Sequence, residues 1–251
     1  MIYIVIDRKA PLLTLIAVVD VVLYTLLFGG RYLIVKMMMY YIFAFLIVKV
    51  VDLEKIKKKK LNLVFIGLIV IAVIVVTSQR NWGNTSIIEN TVVYYVGSFT
   101  FLDVLLNELN WSYSPLYGMG TFGFIVNLVI APFAILFKIP YRGSDYLITQ
   151  ITAIPRFISP TQSYNAMTTM IYPFFRDFGF LGIIIGTSFL AWFVSLVEEK
   201  FMKNKDMLFL CFYVYLAFVL FNSVLLYDLL FPSAFITMVL VFVFIKNKSF
   251  G

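Results

Sequence analysis

The stretch SYNAMTTMIYPFFRDFGFLG, residues 163–182, decides how the rest of the chain is interpreted. Read at helical spacing, it separates into a polar side and an apolar side. Because it runs directly into the apolar residues 178–197, the polar side cannot face lipid, and we expect it to line a cavity at a membrane surface. The polar side comprises Asn165, Thr168, Thr169, Tyr172 and Arg176, and the apolar side comprises Met167, Met170, Ile171, Phe174 and Phe178.

Two residue types inside the stretch act on its backbone. Pro173 has no N–H and its ring clashes with the preceding turn, so we expect a kink or a helix break at that position. Gly179 and Gly182, with Gly186 beyond them, form a small-residue face. Such a face predicts close packing of the following helix against a neighbour.

The composition of the whole chain is that of an integral membrane protein. Of its 251 residues, 62% are hydrophobic and 13% are charged, and the mean hydropathy is +0.97. These values lie outside the range of soluble domains. The long apolar runs lack the alternation of barrel strands, and a helix satisfies its own backbone hydrogen bonds in lipid. The predicted fold class is therefore an all-α polytopic membrane protein, with residues 1–251 forming a single membrane domain.

Basic residues give the chain a net charge of +7, and most lysines sit in short clusters beside the apolar runs. Anchoring at the cytoplasmic ends of membrane spans explains this placement better than nucleic-acid binding, so no nucleic-acid partner is expected. Cys211 is alone inside an apolar run and the chain has no histidine, which excludes a disulfide framework and histidine-based catalysis or metal binding.

Apolar runs predict about six to seven transmembrane helices, with residues 78–178 forming mostly extracytoplasmic loops and short interfacial or re-entrant helices. The lysine clusters require an even number of crossings between residues 77 and 178. Either residues 91–107 also cross, or residues 117–138 enter and leave by one face, and the sequence leaves both open. The candidate spans are residues 11–29, 33–51, 61–77, 117–138, 178–197, 207–227 and 229–245.

Arginine and lysine are distributed unevenly along the chain. Four of the six arginines lie in the stretch assigned to the outer face, where the one lysine is Lys138. A guanidinium group binds phosphate oxygens in pairs, which predicts an anionic ligand such as a diphosphate. The alternative is that these arginines pair with acidic neighbours or contact lipid headgroups. The four are Arg80, Arg142, Arg156 and Arg176, and the acidic neighbours considered are Glu89, Asp103, Asp145 and Asp177.

Asp177 has two interpretations. A carboxylate in a partly dry site can have a raised pKa and accept a proton from a sugar hydroxyl as a general base. Alternatively, Asp177 caps the helix that is expected to begin at Phe178, where a negative charge meets the positive end of the helix dipole. Capping is the commoner role for an aspartate at such a position.

Residues 164–168, Tyr172 and the sequence DFGFLG at 177–182 together resemble the motif of the Wzy-type oligosaccharide repeat-unit polymerases of bacterial O-antigen and capsule assembly. In that family a small helix carrying Asn and Thr leads through an Asp-Phe-Gly-x-x-Gly turn into a span. Residues 77–80 resemble the arginine segment that follows an earlier span of the family. The family usually carries more spans before that segment than this chain can hold.

The resemblance implies a multi-pass enzyme of the bacterial inner membrane. It would transfer a growing glycan from undecaprenyl diphosphate to the next lipid-linked repeat unit, without a nucleotide sugar, metal or other cofactor. A chain-length regulator and a flippase are the further partners it implies. It also implies that Arg80, Arg142 and Arg156 hold the donor diphosphate with support from Arg176, that Asn165 and Asp177 are catalytic, and that Tyr164, Thr168 and Tyr172 bind substrate.

Two other functions are compatible with the sequence. A flippase or other transporter of lipid-linked oligosaccharides would also need a cavity lined for an anion. Transporters often carry related halves with broken helices in matching places, and this sequence shows no such repeat. A non-catalytic membrane subunit is the third interpretation.

Overall fold

The computed structural model describes residues 32–51 and 87–245 except 161 and 166, together with single positions between 16 and 27. Within these residues the chain is mostly helical, which confirms the helical class. The predicted span at 61–77 and Arg80 lie outside the described residues. The elements are α1 (Tyr32–Val51), α2 (Ile87–Glu108), α3 (Gly123–Leu136), α4 (Ser144–Thr152), β1 (Arg156–Ser159), β2 (Gln162–Tyr164), α5 (Ile171–Phe178), α6 (Phe180–Asn204), α7 (Met207–Asn222), a 3₁₀ turn (Asp228–Leu230) and α8 (Pro232–Ile245).

The chain divides into two compact units, Met1–Glu89 and Asn90–Gly251. In the first unit, α1 is a helix of 20 residues that matches the candidate span at 33–51. Its buried apolar side chains recur every three or four residues, so they lie on one face of the helix. They are Ile34, Met37, Tyr41, Ala44 and Val48.

In the second unit, α6 is the one helix among the described residues that is long and apolar enough to cross a membrane. Its 25 residues span roughly 38 Å at 1.5 Å per residue. The apolar helices α3, α7 and α8 have 14, 16 and 14 residues, roughly 21 to 24 Å each. The predicted count of six to seven spans therefore stays a prediction.

The structure corrects the interpretation of residues 163–170 as part of a helix. Gln162–Tyr164 is a strand that pairs antiparallel with Arg156–Ser159, and the described residues between β2 and Met170 have no regular structure. The Tyr164 ring is buried with its centroid 5.5 Å from that of Phe101, which holds this part of the chain extended. Tertiary packing thus overrides the helical spacing of the polar residues.

The predicted helix break at Pro173 is also wrong. Helix α5 begins at Ile171, so Pro173 falls in its first turn, where the missing N–H has no intrahelical partner to lose. The break lies at Gly179, whose φ of 63° and ψ of −138° favour glycine. A side chain at Gly179 would also approach the Tyr113 hydroxyl to 2.8 Å.

The small-residue face after the break is confirmed. A Cβ at Gly186 would lie 2.5 to 2.7 Å from ring atoms of Phe174, and a Cβ at Gly182 would collide with the Phe174 carbonyl. Glycine at both positions therefore lets α5 fold back closely against the first two turns of α6.

The chain that follows α3 returns to the point where α3 begins. A Cβ at Gly123, the first residue of α3, would lie 2.9 Å from Oγ of Ser144, the first residue of α4. Residues 137–143 must therefore return along the length of α3. The two ends of the segment 123–143 therefore lie close together, and the number of membrane crossings between residues 77 and 178 stays a prediction.

The connection between α7 and α8 is buried. The candidate span at 207–227 ends as a helix at Asn222, and residues 223–231 form turns and the 3₁₀ turn before Pro232 starts α8. Tyr227, Leu229 and Leu230 are fully buried in this connection. The core of the unit thus includes a loop as well as helices.

Candidate functional site

Asp177 lies in the last turn of α5 and is fully buried. Its Oδ1 accepts a hydrogen bond from the Gly120 N–H at 2.8 Å. Its Oδ2 accepts from the N–H and the Oγ1–H of Thr121, at 2.7 and 2.6 Å. Asp177 therefore fixes the segment 113–122 onto α5.

The structure shows that the capping interpretation of Asp177 is wrong. The N-cap of α6 is Gly179, which has no side-chain capping bond. Asp177 belongs to the preceding helix, and its carboxylate is directed to the segment 113–122 instead. The partner residues are 56 and 57 positions away in the sequence, which a local pattern cannot reveal.

Tyr227 holds Thr121 from the other side. Its hydroxyl donates to the Thr121 carbonyl at 3.0 Å, and its ring packs edge-on against Phe174 with centroids 4.7 Å apart. Burial raises the pKa of Tyr227, and the charge of Asp177 raises it further. Gly120 has no room for a side chain, because a Cβ there would meet the Pro173 carbonyl and Asp177. The contact is therefore tight on both sides of the segment.

Arg176 is buried beside Asp177 and binds the same segment. Its Nε donates to the Ser114 carbonyl at 3.2 Å and its Nη2 to the Ser114 Oγ at 2.9 Å. Its Nη1 donates to the Tyr172 hydroxyl at 3.1 Å, and the backbone N–H of Leu116 donates to the Arg176 carbonyl. Tyr172, Arg176 and Asp177 thus form one cluster that attaches the segment 113–122 to α5.

Arg156 and Tyr164 form a second cluster. They are paired across the β-hairpin, and both contact the ring of Phe101 on α2, Arg156 with its guanidinium carbon at 5.7 Å. Arg156 forms an ion pair with Glu108 and donates to the carbonyls of Ile151 and Ile154. The prediction that an outer-stretch arginine pairs with an acidic side chain is therefore confirmed for Arg156. Its partner is Glu108, and not one of the four acidic residues named from the sequence.

Arg142 is exposed at an open cleft of about 440 Å³. Its guanidinium carbon lies 5.6 Å from the ring centroid of Tyr146, a cation–π contact. The lining of the cleft is mostly apolar, and its polar wall carries Asn127, Arg142 and Asp145. Its lining residues are Asn127, Ala131, Tyr141, Arg142, Gly143, Asp145, Tyr146 and Pro232.

Asn127 on α3 organises the polar wall of this cleft. Its Oδ1 accepts from the Tyr141 hydroxyl at 2.8 Å and from the Ser144 N–H at 3.2 Å. Its Nδ2 donates to Ser144 Oγ, Asp145 Oδ1 and the Leu230 carbonyl at 3.2 to 3.4 Å. Burial and the charge of Asp145 raise the pKa of Tyr141. One buried amide thus positions the chain on both sides of Arg142.

The other predicted site residues have different surroundings. Asn165 is exposed just after β2, whereas Thr168 and Tyr172 are buried. Arg142, Arg156 and Arg176 share no hydrogen-bond partner and no ring among the described residues. Arg142, Arg156 and Arg176 therefore have different immediate surroundings, and their joint binding of one anionic ligand stays a prediction.

The sequence pattern signals Ser98 only as a polar interruption of the apolar residues 91–107, and it gives no role to Asn127 or Asn222. Ser98 donates to the Val224 carbonyl at 2.8 Å, and Asn222 donates to Asp228 at 2.6 Å. Each of the three interrupts an apolar run. A polar group in such a run is expensive unless it has a partner, so this interruption was the available signal.

No known protein family, curated protein or solved structure matches the chain. The resemblance of residues 164–182 to the polymerase motif therefore stays a prediction. Within the stretch, Tyr172, Arg176 and Asp177 attach α5 to the segment 113–122, and Asn165 lies on the surface.

Proposed function

We propose that the chain is a multi-pass protein of a bacterial inner membrane that polymerises lipid-linked oligosaccharide repeat units. It transfers the growing glycan from undecaprenyl diphosphate to the next lipid-linked unit in surface polysaccharide synthesis. The apolar composition, the length of α6 and the motif at residues 164–182 support this proposal.

The exposed guanidinium of Arg142 at the cleft is the observation that carries the proposal. Of the three outer-stretch arginines that the structure describes, Arg156 and Arg176 use their donors on neighbouring protein atoms. Arg142 is exposed beside both apolar and polar walls. A lipid diphosphate combines an anionic head, which the polar wall and Arg142 can bind, with an apolar tail, which the apolar wall can bind. A fixed positive charge near the departing diphosphate stabilises the transition state.

In this proposal the cluster on α5 has a positioning role. Asp177 is fully buried and its carboxylate accepts three hydrogen bonds, so it is better suited to holding the segment 113–122 than to accepting a substrate proton. Arg176 and Tyr172 hold the same segment. Asn165 is exposed next to Tyr164 and is the residue of the motif that can reach an acceptor sugar.

The proposal is tested with purified protein in liposomes supplied with undecaprenyl-diphosphate-linked repeat units. We expect a ladder of elongated glycans on a gel, loss of the ladder in Arg142→Ala, and no loss in Lys203→Ala, which removes a distant exposed charge. Translocation of the lipid without elongation would identify a transporter instead. If the protein shows no elongation and no translocation, the result would favour a non-catalytic subunit.

A further inference from the structure

Helix α3 and the segment that follows it form a hairpin with an apolar, exposed tip. We call residues 123–143 the α3 hairpin and residues 133–139 its tip. The side chains of Ile135 and Leu136 are 79% and 72% exposed, and Phe133, Phe137 and Ile139 are exposed as well. The single charged residue of the tip is Lys138. A contiguous apolar surface of this kind marks a contact with an apolar partner.

The two ends of the hairpin lie together. Gly123 is adjacent to Ser144, and Asn127 bonds both the Ser144 N–H and the Tyr141 hydroxyl. The chain therefore leaves and re-enters the body of the unit at one place. From Gly123 to Leu136 the helix extends for roughly 20 Å, which is less than the roughly 30 Å of a hydrocarbon layer.

The backbone of the tip closes on itself. The N–H groups of Phe137, Lys138 and Ile139 donate to the carbonyls of Phe133, Ile135 and Ala134, at 2.9, 3.2 and 2.8 Å. Lys138 has a φ of 54°, so the helix ends in a left-handed residue with the hydrogen bonds of a Schellman motif. Backbone at membrane depth must satisfy its own polar groups, and these donors meet that requirement.

Helix α8, which packs on α3, also exposes apolar side chains. Helices α3 and α8 pack together, and both expose large apolar side chains, Val129 and Phe133 on α3 and Val243 and Phe244 on α8. Both packed helices therefore leave apolar surface uncovered. In a chain of mean hydropathy +0.97, whose α6 also exposes Ile184, Ile185 and Trp192, acyl chains fit this surface.

We propose that the α3 hairpin is a re-entrant membrane element. Its tip enters the acyl layer from the face that carries residues 113–122 and α4, and the chain returns to that face without crossing. The proposal rests on the membrane location in the proposed function and is independent of polymerase activity.

The test uses single cysteines in a Cys211→Ala background, with a membrane-impermeant maleimide applied to intact and to permeabilised cells. Ser112→Cys and Thr149→Cys mark the chain before and after the hairpin, and Lys203→Cys marks the far end of α6; all three positions are exposed. We expect Ser112→Cys and Thr149→Cys to label from the same side, and Lys203→Cys to label from the opposite side. Labelling of Thr149→Cys from the same side as Lys203→Cys, with Ser112→Cys labelling from the opposite side, would show that the segment crosses the membrane, and would overturn the proposal.

The depth of the tip is measured with Leu136→Cys carrying an environment-sensitive fluorophore in liposomes. We expect quenching by lipids that carry a nitroxide on the acyl chain, and reaction with the impermeant maleimide at least tenfold slower than for Ser112→Cys. Fast labelling would place the tip in water. Protection without lipid quenching would place it against protein, and either result would overturn the proposal.

Failure of the proposed activity gives a different pattern. A chain without elongation activity would still show the expected labelling and quenching. A chain that is not embedded would label Lys203→Cys and Ser112→Cys from the same side, and that result would remove the membrane location itself. The two failures are therefore distinguishable.

Discussion

The two turns that flank α7 differ in their surroundings. The turn between α6 and α7 consists of Lys205 and Asp206 and lies among exposed residues, including Lys200 and Lys203. The connection between α7 and α8, residues 223–231, is mostly buried. Both reverse the chain between apolar helices. They differ in where their backbone hydrogen bonds go.

The exposed turn is stabilised locally. Asp206 caps α7 by accepting from the Leu208 N–H at 2.9 Å, and Lys205 ends α6 in a left-handed conformation with its N–H bonded to the Phe201 carbonyl. No partner in these bonds is more than four residues away. Such a turn is encoded by its own few residues.

The buried connection is stabilised by distant elements. The Val224 carbonyl accepts from Ser98, the Ser223 carbonyl from the Met170 N–H, and the Leu230 carbonyl from Asn127. A loop can be buried only when its polar groups have partners of this kind. We therefore expect the exposed turn before α7 to tolerate substitution, and the buried connection and the segment packed on it to tolerate it poorly.

The largest expected effect is that of Asp177→Ala. The substitution leaves two N–H groups and one hydroxyl without their buried acceptor, and we expect a loss of about 3 kcal/mol or more in the free energy of unfolding. Asp177→Asn keeps one acceptor oxygen and is expected to lose less. Thermal unfolding in detergent measures both. An unchanged midpoint in Asp177→Ala would mean that the buried region does not depend on this carboxylate.

Gly182→Ala is expected to have the next largest effect. Its Cβ would collide with the backbone carbonyl of Phe174, which cannot move without shifting α5, and overpacking of this kind costs about 1–3 kcal/mol. Ile184→Ala on the exposed face of α6 is the matched control. Equal unfolding midpoints for the two variants would contradict the close packing of α5 on α6.

Tyr227→Phe removes the hydrogen bond to the Thr121 carbonyl and is expected to cost about 1–2 kcal/mol. Because the folded state raises the pKa of Tyr227 above its ordinary value of 10, the neutral hydroxyl contributes stability that is full below pH 10 and is lost as pH rises above it. Wild-type stability should therefore fall above pH 10 more steeply than that of Tyr227→Phe. Parallel pH profiles would show that Tyr227 does not contribute to this fall.

Asp206→Ala is expected to have the smallest effect. It removes the cap of α7 and should cost about 0.5–1 kcal/mol, because the turn is partly exposed and water can replace the lost bond. Asp206→Asn keeps a capping oxygen and should be close to wild type. A loss as large as that of Asp177→Ala would remove the contrast between the two regions.

Much of the fold could be predicted from apolar runs and glycines. The helical class, α1, α6 and the small-residue contact at Gly182 and Gly186 follow from residues that are close in sequence. The strand at residues 162–164 could not be predicted, because the ring of Phe101 and the facing strand hold it extended. Because residues 162–164 are extended, α5 begins only at Ile171 and Pro173 lies in its first turn, so the helix break is at Gly179 instead of Pro173.

The candidate site was predictable in residue type and not in arrangement. The four arginines of the outer stretch predict one anionic ligand. In the structure Arg156 pairs with Glu108. Arg176 donates hydrogen bonds to the hydroxyls of Ser114 and Tyr172. Glu108 lies 48 positions from Arg156, and Ser114 lies 62 positions from Arg176. Residue spacing along a short stretch cannot predict contacts at such separations. Asn127 was signalled only as an amide inside an apolar run.

In the proposed function, Arg142 is available to a lipid diphosphate, whereas Arg156 is held by its contacts with Glu108, Ile151 and Ile154. The most direct measurement is the unfolding midpoint with and without added undecaprenyl diphosphate, for wild type, Arg142→Ala and Arg156→Ala. A ligand that binds the folded state raises the midpoint. We predict a rise for wild type, no rise for Arg142→Ala at an unchanged starting midpoint, and a lower starting midpoint for Arg156→Ala with the rise retained. A full rise in Arg142→Ala would contradict the account.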